Sequence, residues 1–143
     1  MRDTKKILRH AVYNALSGNV TYDGNPIPVY DEKNDNEPIY ILLSNQQEFD
    51  DNTSDAFITR STLDYEVVEQ TGYSVSKDAI DDINDQILTI IFPTPSTTGL
   101  TMPTGFQFLN LRRESSRSLA FEISATESII RNITTITATI VQQ

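Results

Sequence analysis

The last twelve residues constrain the fold more than any other segment. In Asn132–Gln143, Ile136, Ala138 and Ile140 alternate with Thr135, Thr137 and Thr139. Period-two alternation of β-branched residues is the pattern of a half-buried strand. Such a strand needs partners for its backbone donors and acceptors, either in its own sheet or in a neighbouring molecule. Read as an addition to an already complete sheet, it is suited to pairing between subunits, with Ile136 and Ile140 as interface residues.

The rest of the chain alternates helix and strand signals without repeats. Residues 3–17 predict an amphipathic helix capped by Asp3 or Thr4, with Ile7, Leu8, Ala11, Val12, Ala15 and Leu16 on one face and Gly18-Asn19 as its stop. Asp23-Gly24 between two apolar-alternating arms predicts a hairpin, and Pro26 and Pro28 confine the second arm to an edge. A polar loop at 31–37 precedes a short buried strand, Ile39–Leu43, and a second polar loop at 44–54 precedes a long one. In that long strand Phe57, Leu63, Tyr65 and Val67 oppose Arg60, Asp64 and Glu66. Ser76 reads as the N-cap of a second helix with Asp78 in its first turn, a stripe of Ala79, Ile80, Ile83, Ile87, Leu88 and Ile91, and a stop at Pro93. After a long loop at 93–105 come strands Phe106–Arg113 and Leu119–Ile123 about a turn at Glu114-Ser115-Ser116, then the extension at 126–143. Runs of strands with few helices between them predict one α+β domain over 1–143. Its sheet is mostly antiparallel, with two helices on one face and an extra C-terminal strand.

Charge is spread unevenly. Residues 19–70 hold twelve acids against Lys33 and Arg60, whereas residues 1–18 are net basic, and the whole chain of 143 residues carries −9. An acidic middle repels a phosphate backbone, since tight DNA binding needs clustered Lys and Arg. With no cysteine there are no disulfides and no thiolate ligands or nucleophiles, which fits synthesis in a reducing compartment. No apolar run reaches membrane-spanning length, and the basic start at Met1–Lys6 lacks the apolar core of a secretory signal.

No catalytic constellation emerges. His10 is the single histidine and reads as a rim residue. The five glycines are scattered, so no phosphate-cradling loop is present. Asp50–Asp55 lacks the glycine and the glutamate of a calcium loop. Asp78, Asp82 and Asp85 fall on the solvent face of the second helix. The expectation is no enzyme, no metal and no cofactor. A hydrolase would need two of the many acids to converge in a pocket. Arg112, Arg113 and Arg117 can bind phosphate or pair with acids of an adjacent subunit, and the surplus of acids favours the second.

The order of segments resembles the tail-completion, or tail-terminator (head–tail joining), proteins of tailed bacteriophages. The resemblance is carried by Ile7-Leu8…Ala11-Val12…Ala15-Leu16-Ser17-Gly18, then Val29-Tyr30-Asp31-Glu32 and Pro38-Ile39-Tyr40-Ile41-Leu42-Leu43. The isoleucine-spaced second helix follows, and then the pair Phe106–Leu109 and Leu119–Ile123. It implies a non-enzymatic virion protein of the tail or neck, made in the bacterial host cytoplasm. Such a protein forms a homo-oligomeric ring of six or twelve subunits between connector (portal-side) and tail-tube proteins. Genomic DNA passes through it without specific binding, and no membrane is involved. The acids proposed to line the channel are Asp31, Glu32, Asp35 and Glu37 in one loop and Glu48, Asp50, Asp51 and Asp55 in the next. Arg112, Arg113, Arg117, Ile136 and Ile140 are the proposed subunit interface. The alternatives are a neck ring of a short-tailed phage, or an acidic protein-interaction module that mimics DNA.

Overall fold

The computed structural model describes residues 1–71, 77–122 and 128–143. Helix α1 (Thr4–Leu16) starts where Asp3 accepts a hydrogen bond from the Lys5 amide at 2.8 Å, satisfying one of the free donors of the first turn. It ends at Ser17, and Gly18 follows with a φ of +77°, the left-handed conformation that glycine adopts at no steric cost. Strands β1 (Thr21–Tyr22) and β2 (Asn25–Pro26) form the expected hairpin. Asp23 and Gly24, at φ +52° and +78°, supply the two positive φ values of its tight turn.

The main sheet has five strands in the order β3-β4-β5-β7-β6. β3 (Val29–Tyr30) runs parallel to β4 (Ile39–Asp50), and every other pair is antiparallel: β4 with β5 (Phe57–Thr71), β5 with β7 (Ser128–Gln142), and β7 with β6 (Phe106–Glu122). Helix α2 (Lys77–Ile91) joins the two halves of the sheet. Both helices pack on one face. Leu8, Val12 and Leu16 of α1 and Ile80, Ile83, Ile87 and Ile91 of α2 lie in one core with Ile41, Leu43, Leu63, Tyr65, Ile136, Ala138 and Ile140. The fold is therefore α+β with a mostly antiparallel sheet, as the spacing of apolar residues predicts.

Several expectations are corrected. The polar run after Leu43 is strand, not loop: β4 crosses an irregularity between Leu43 and Gln46 and continues to Asp50. Glu114-Ser115-Ser116 is no turn. β6 runs unbroken through 17 residues, absorbing register shifts after Phe108 and after Arg113. The C-terminal strand is no extension, because β7 lies between β5 and β6 and pairs along both edges. Ile136 and Ile140, expected at a subunit interface, are fully buried in the core beneath the helices. Leu88 is half-buried at the rim of its stripe. Ser76 and Ile123 lie outside the described residues.

The 93–105 loop is tied down more closely than its length suggests. The Gly99 amide donates to the Ile91 carbonyl at 3.0 Å, and Leu100 inserts into the core. A Cβ at Gly99 would fall 1.8 Å from the Ile90 carbonyl oxygen, so only glycine allows this approach.

Candidate assembly surfaces

The two groups of acids sit at opposite ends of β4. Asp31, Glu32, Asp35 and Glu37 belong to the connection that enters the strand at Ile39. Asp50, Asp51 and Asp55 belong to the β4–β5 tip that leaves it. Twelve residues at about 3.3 Å each separate the groups by roughly 40 Å. They do not converge on one site.

Within the first group, two members are occupied locally. Glu37 accepts from the Tyr30 hydroxyl at 3.1 Å, and Lys33 pairs with Asp35 at 3.3 Å. Partial burial, helped by the Glu37 carboxylate, pushes the Tyr30 hydroxyl above its ordinary pKa. The Gln70 side-chain amide donates to the carbonyls of Asn34 and Glu37 at 2.9 and 2.8 Å and fastens the loop to β5. Asp31 and Glu32 are exposed.

In the second group, Glu48 is a structural residue. Its Oε2 accepts from the Thr4 amide at 2.8 Å and from the Thr4 hydroxyl at 2.7 Å. That hydroxyl, buried, also lies 2.8 Å from Thr59 Oγ1 and 2.6 Å from Ser61 Oγ. Glu48 thus binds the first turn of α1 to the sheet, where a negative charge also complements the positive end of the helix dipole. Asp50, Asp51 and Asp55 are exposed, and among the described residues none has a cation within salt-bridge range.

The arginines are brought together on β6, the outermost strand. Arg112 is held by Glu114, Nε to Oε1 at 2.6 Å. Arg113 and Arg117 are exposed with no carboxylate in range among the described residues. Arg112 and Arg117 stand opposite Thr137 and Ile133 on the face away from the helices, whereas Arg113 stands opposite Ile136 on the helix side.

A half-buried ion pair lies on the helix-free face. Glu66, only 2% exposed, accepts from Arg131 Nε at 2.7 Å, which compensates the desolvation of its charge. Strand alternation places Glu66 on the polar face and gives no sign that Arg131, diagonal to it on β7, is its partner. On the helix side Tyr65 donates to Asn84 Oδ1 at 3.0 Å, and burial raises its pKa to about 12. A groove of about 810 Å³ between α1 and the 93–105 loop is rimmed by Arg2, Lys6 and an exposed His10. Among the described residues no three His, Asp or Glu side chains form a metal-holding group, and no helix is long and apolar enough to cross a membrane.

No family model matches the chain, and no curated protein matches its sequence. Its fold does have a solved counterpart: a chain of the virion of a native gene transfer agent particle. The two superpose with a TM-score of 0.64 over 97% of this chain and 99% of the other, at 14% identity. At that identity the likeness defines a shared fold over the whole length of both chains.

Proposed function

We propose that the protein is a structural subunit of a phage-like particle. In this reading it forms a ring at the head–tail interface, caps the tail or neck and leaves a channel for DNA. The observation that carries the reading is the end-to-end match in fold to a gene transfer agent virion chain, which leaves only a few residues of either chain outside the superposition. The resemblance in segment order to tail-completion proteins points the same way. The exposed polar groups here are tips, edges and open grooves, surfaces that suit contact between proteins better than turnover of a small molecule. The protein works by assembling and carries out no chemistry. Native mass spectrometry with negative-stain imaging tests this. Closed rings of six or twelve subunits support it. A strict monomer that binds basic proteins favours the acidic-module alternative.

A further inference from the structure

We infer that subunits of such a ring join by continuing one sheet into the next, with β6 of one copy pairing antiparallel to the distal half of β4 of its neighbour. The inference rests on the ring reading and names the surfaces that close it.

Two edges of the main sheet are open among the described residues. β6 has no partner on its outer side along its whole length. β4 is covered by β3 only at Ile41 and Leu42, which leaves its edge free from Leu43 to Asp50. Unpaired edges are templates for another strand. Strand directions make these two edges complementary. β4 and β7 run one way and β5 and β6 the other, so placing β4 of a second copy beside β6 continues the antiparallel alternation. Both copies then keep their helices on the same face. The contact uses two different surfaces of one chain, so it repeats head-to-tail, and such contacts close into rings when the rotation allows.

Charge favours this pairing over the symmetric one. Two β6 edges paired antiparallel about Glu114-Ser115 would set Arg112 of each copy against Arg117 of the other, a like-charge arrangement that destabilises strand pairs. The β4 edge instead ends in Asp50 and Asp51, free acids for free arginines. The irregularities of β6 narrow the register. Beyond the shift at Glu114 the strand pairs regularly with β7, and beyond its own irregularity β4 is regular from Gln46 to Asp50. Opposed residues must share a face. Setting Asp50 against Ser116 and Gln46 against Ala120 meets that condition throughout. It lays Arg117 beside Phe49, within diagonal reach of Asp51, and brings Leu119 diagonal to Phe49. Phe49 and Leu119 are exposed apolar side chains, at 46% and 36%, and pairing covers both.

The chain has no cysteine, so a disulfide pair reads this register directly. Gln47 and Leu119 are opposed in the inferred ladder. Within one subunit β5 and β7 lie between their strands, three spacings or about 14 Å, beyond the roughly 7 Å limit for bridging Cα atoms. Oxidation of the full-length Q47C/L119C variant is expected to give a ladder of covalent oligomers ending at the ring, while either single variant stays monomeric on the same non-reducing gel. R117E and D51K should each lower the ring fraction about tenfold, a small loss per joint multiplied around the ring, and their combination should restore it. Rings seen by native mass spectrometry without cross-linking of the double variant overturn the strand pairing and leave the ring reading intact. Dimers from L119C alone, or uncross-linked monomers throughout, overturn both.

Discussion

At the scale of single residues, the Thr4–Glu48 contact has the clearest energetic consequence. One carboxylate oxygen satisfies both a first-turn amide and a buried hydroxyl, and the hydroxyl is shared with Thr59 and Ser61. Glu48→Ala removes the acceptor and leaves these donors in a half-buried site, so a loss of about 2 kcal/mol is expected. Urea denaturation of the variant measures it, and an unchanged midpoint would count against the role. Tyr65 gives the pH dependence. Its folded pKa of about 12 lies above its ordinary 10.0, because burial disfavours the phenolate. Above pH 10 the unfolded chain therefore releases the proton first, and stability falls between about pH 10 and pH 12. Tyr65→Phe should remove that alkaline loss while costing about 1 kcal/mol at neutral pH, through the lost bond to Asn84. Paired urea titrations at pH 7 and pH 11 separate the two effects. Local rules made some residues legible in the sequence: the Asp3 cap and the Asp23-Gly24 turn depend only on neighbours in the chain. Glu48 and Glu66 did not show themselves, since their partners Thr4 and Arg131 are 44 and 65 residues away.

At the scale of elements, periodicity identifies strands but does not order them. The Ile/Thr alternation of residues 132–143 correctly marks a strand with one buried face. Nothing local distinguishes a central strand with a threonine-lined open face from an edge strand, and here Thr135 is held by Asp64 at 2.5 Å on that open face. The polar run Ser44–Gln47 and the sequence Glu114-Ser115-Ser116 mimic loops for a related reason. Both are strand segments whose polar side chains sit at a sheet edge or beside an irregularity. The central place of β7 makes truncation a test of folding. Deleting 132–143 would remove the shared partner of β5 and β6 together with Ile136, Ala138 and Ile140, each fully buried. With each buried isoleucine worth about 1.5–3 kcal/mol, the truncated chain is expected to lose its cooperative unfolding transition. Circular dichroism of the truncated protein checks this, and a native-like melt would show that β5 and β6 can be held without β7.

At the scale of the whole molecule, the charges are sorted by position. Acids occupy both ends of β4 and the outer side of α2, arginines line the β6 edge, and the basic start of the chain lies along α1. The separation of the two acidic loops bears on any channel. A ring with β4 along its axis would carry an acidic collar at each mouth. A ring with β4 across its axis would put one loop inside and the other on the rim. In both arrangements of the proposed ring the passing duplex would meet carboxylates, and Arg117 of β6 would be taken up in the joint. A phosphate backbone is gripped when Lys and Arg displace its counterions. A ring of such subunits, each of net charge −9 and with Arg117 paired at the joint, would offer little such displacement. The assembled protein is therefore expected to leave a duplex of about 200 base pairs unretarded in a mobility-shift gel at 50 mM salt, conditions that strengthen any electrostatic binding. Lys substitutions at Asp50, Asp51 and Asp55 should produce a salt-sensitive shift only if the β4–β5 tip faces the DNA. The same substitutions in the 31–37 loop report on the other end. Retention of DNA by the unsubstituted ring would mean that a basic surface, with α1 the first candidate, faces the channel, and passive passage would have to be abandoned.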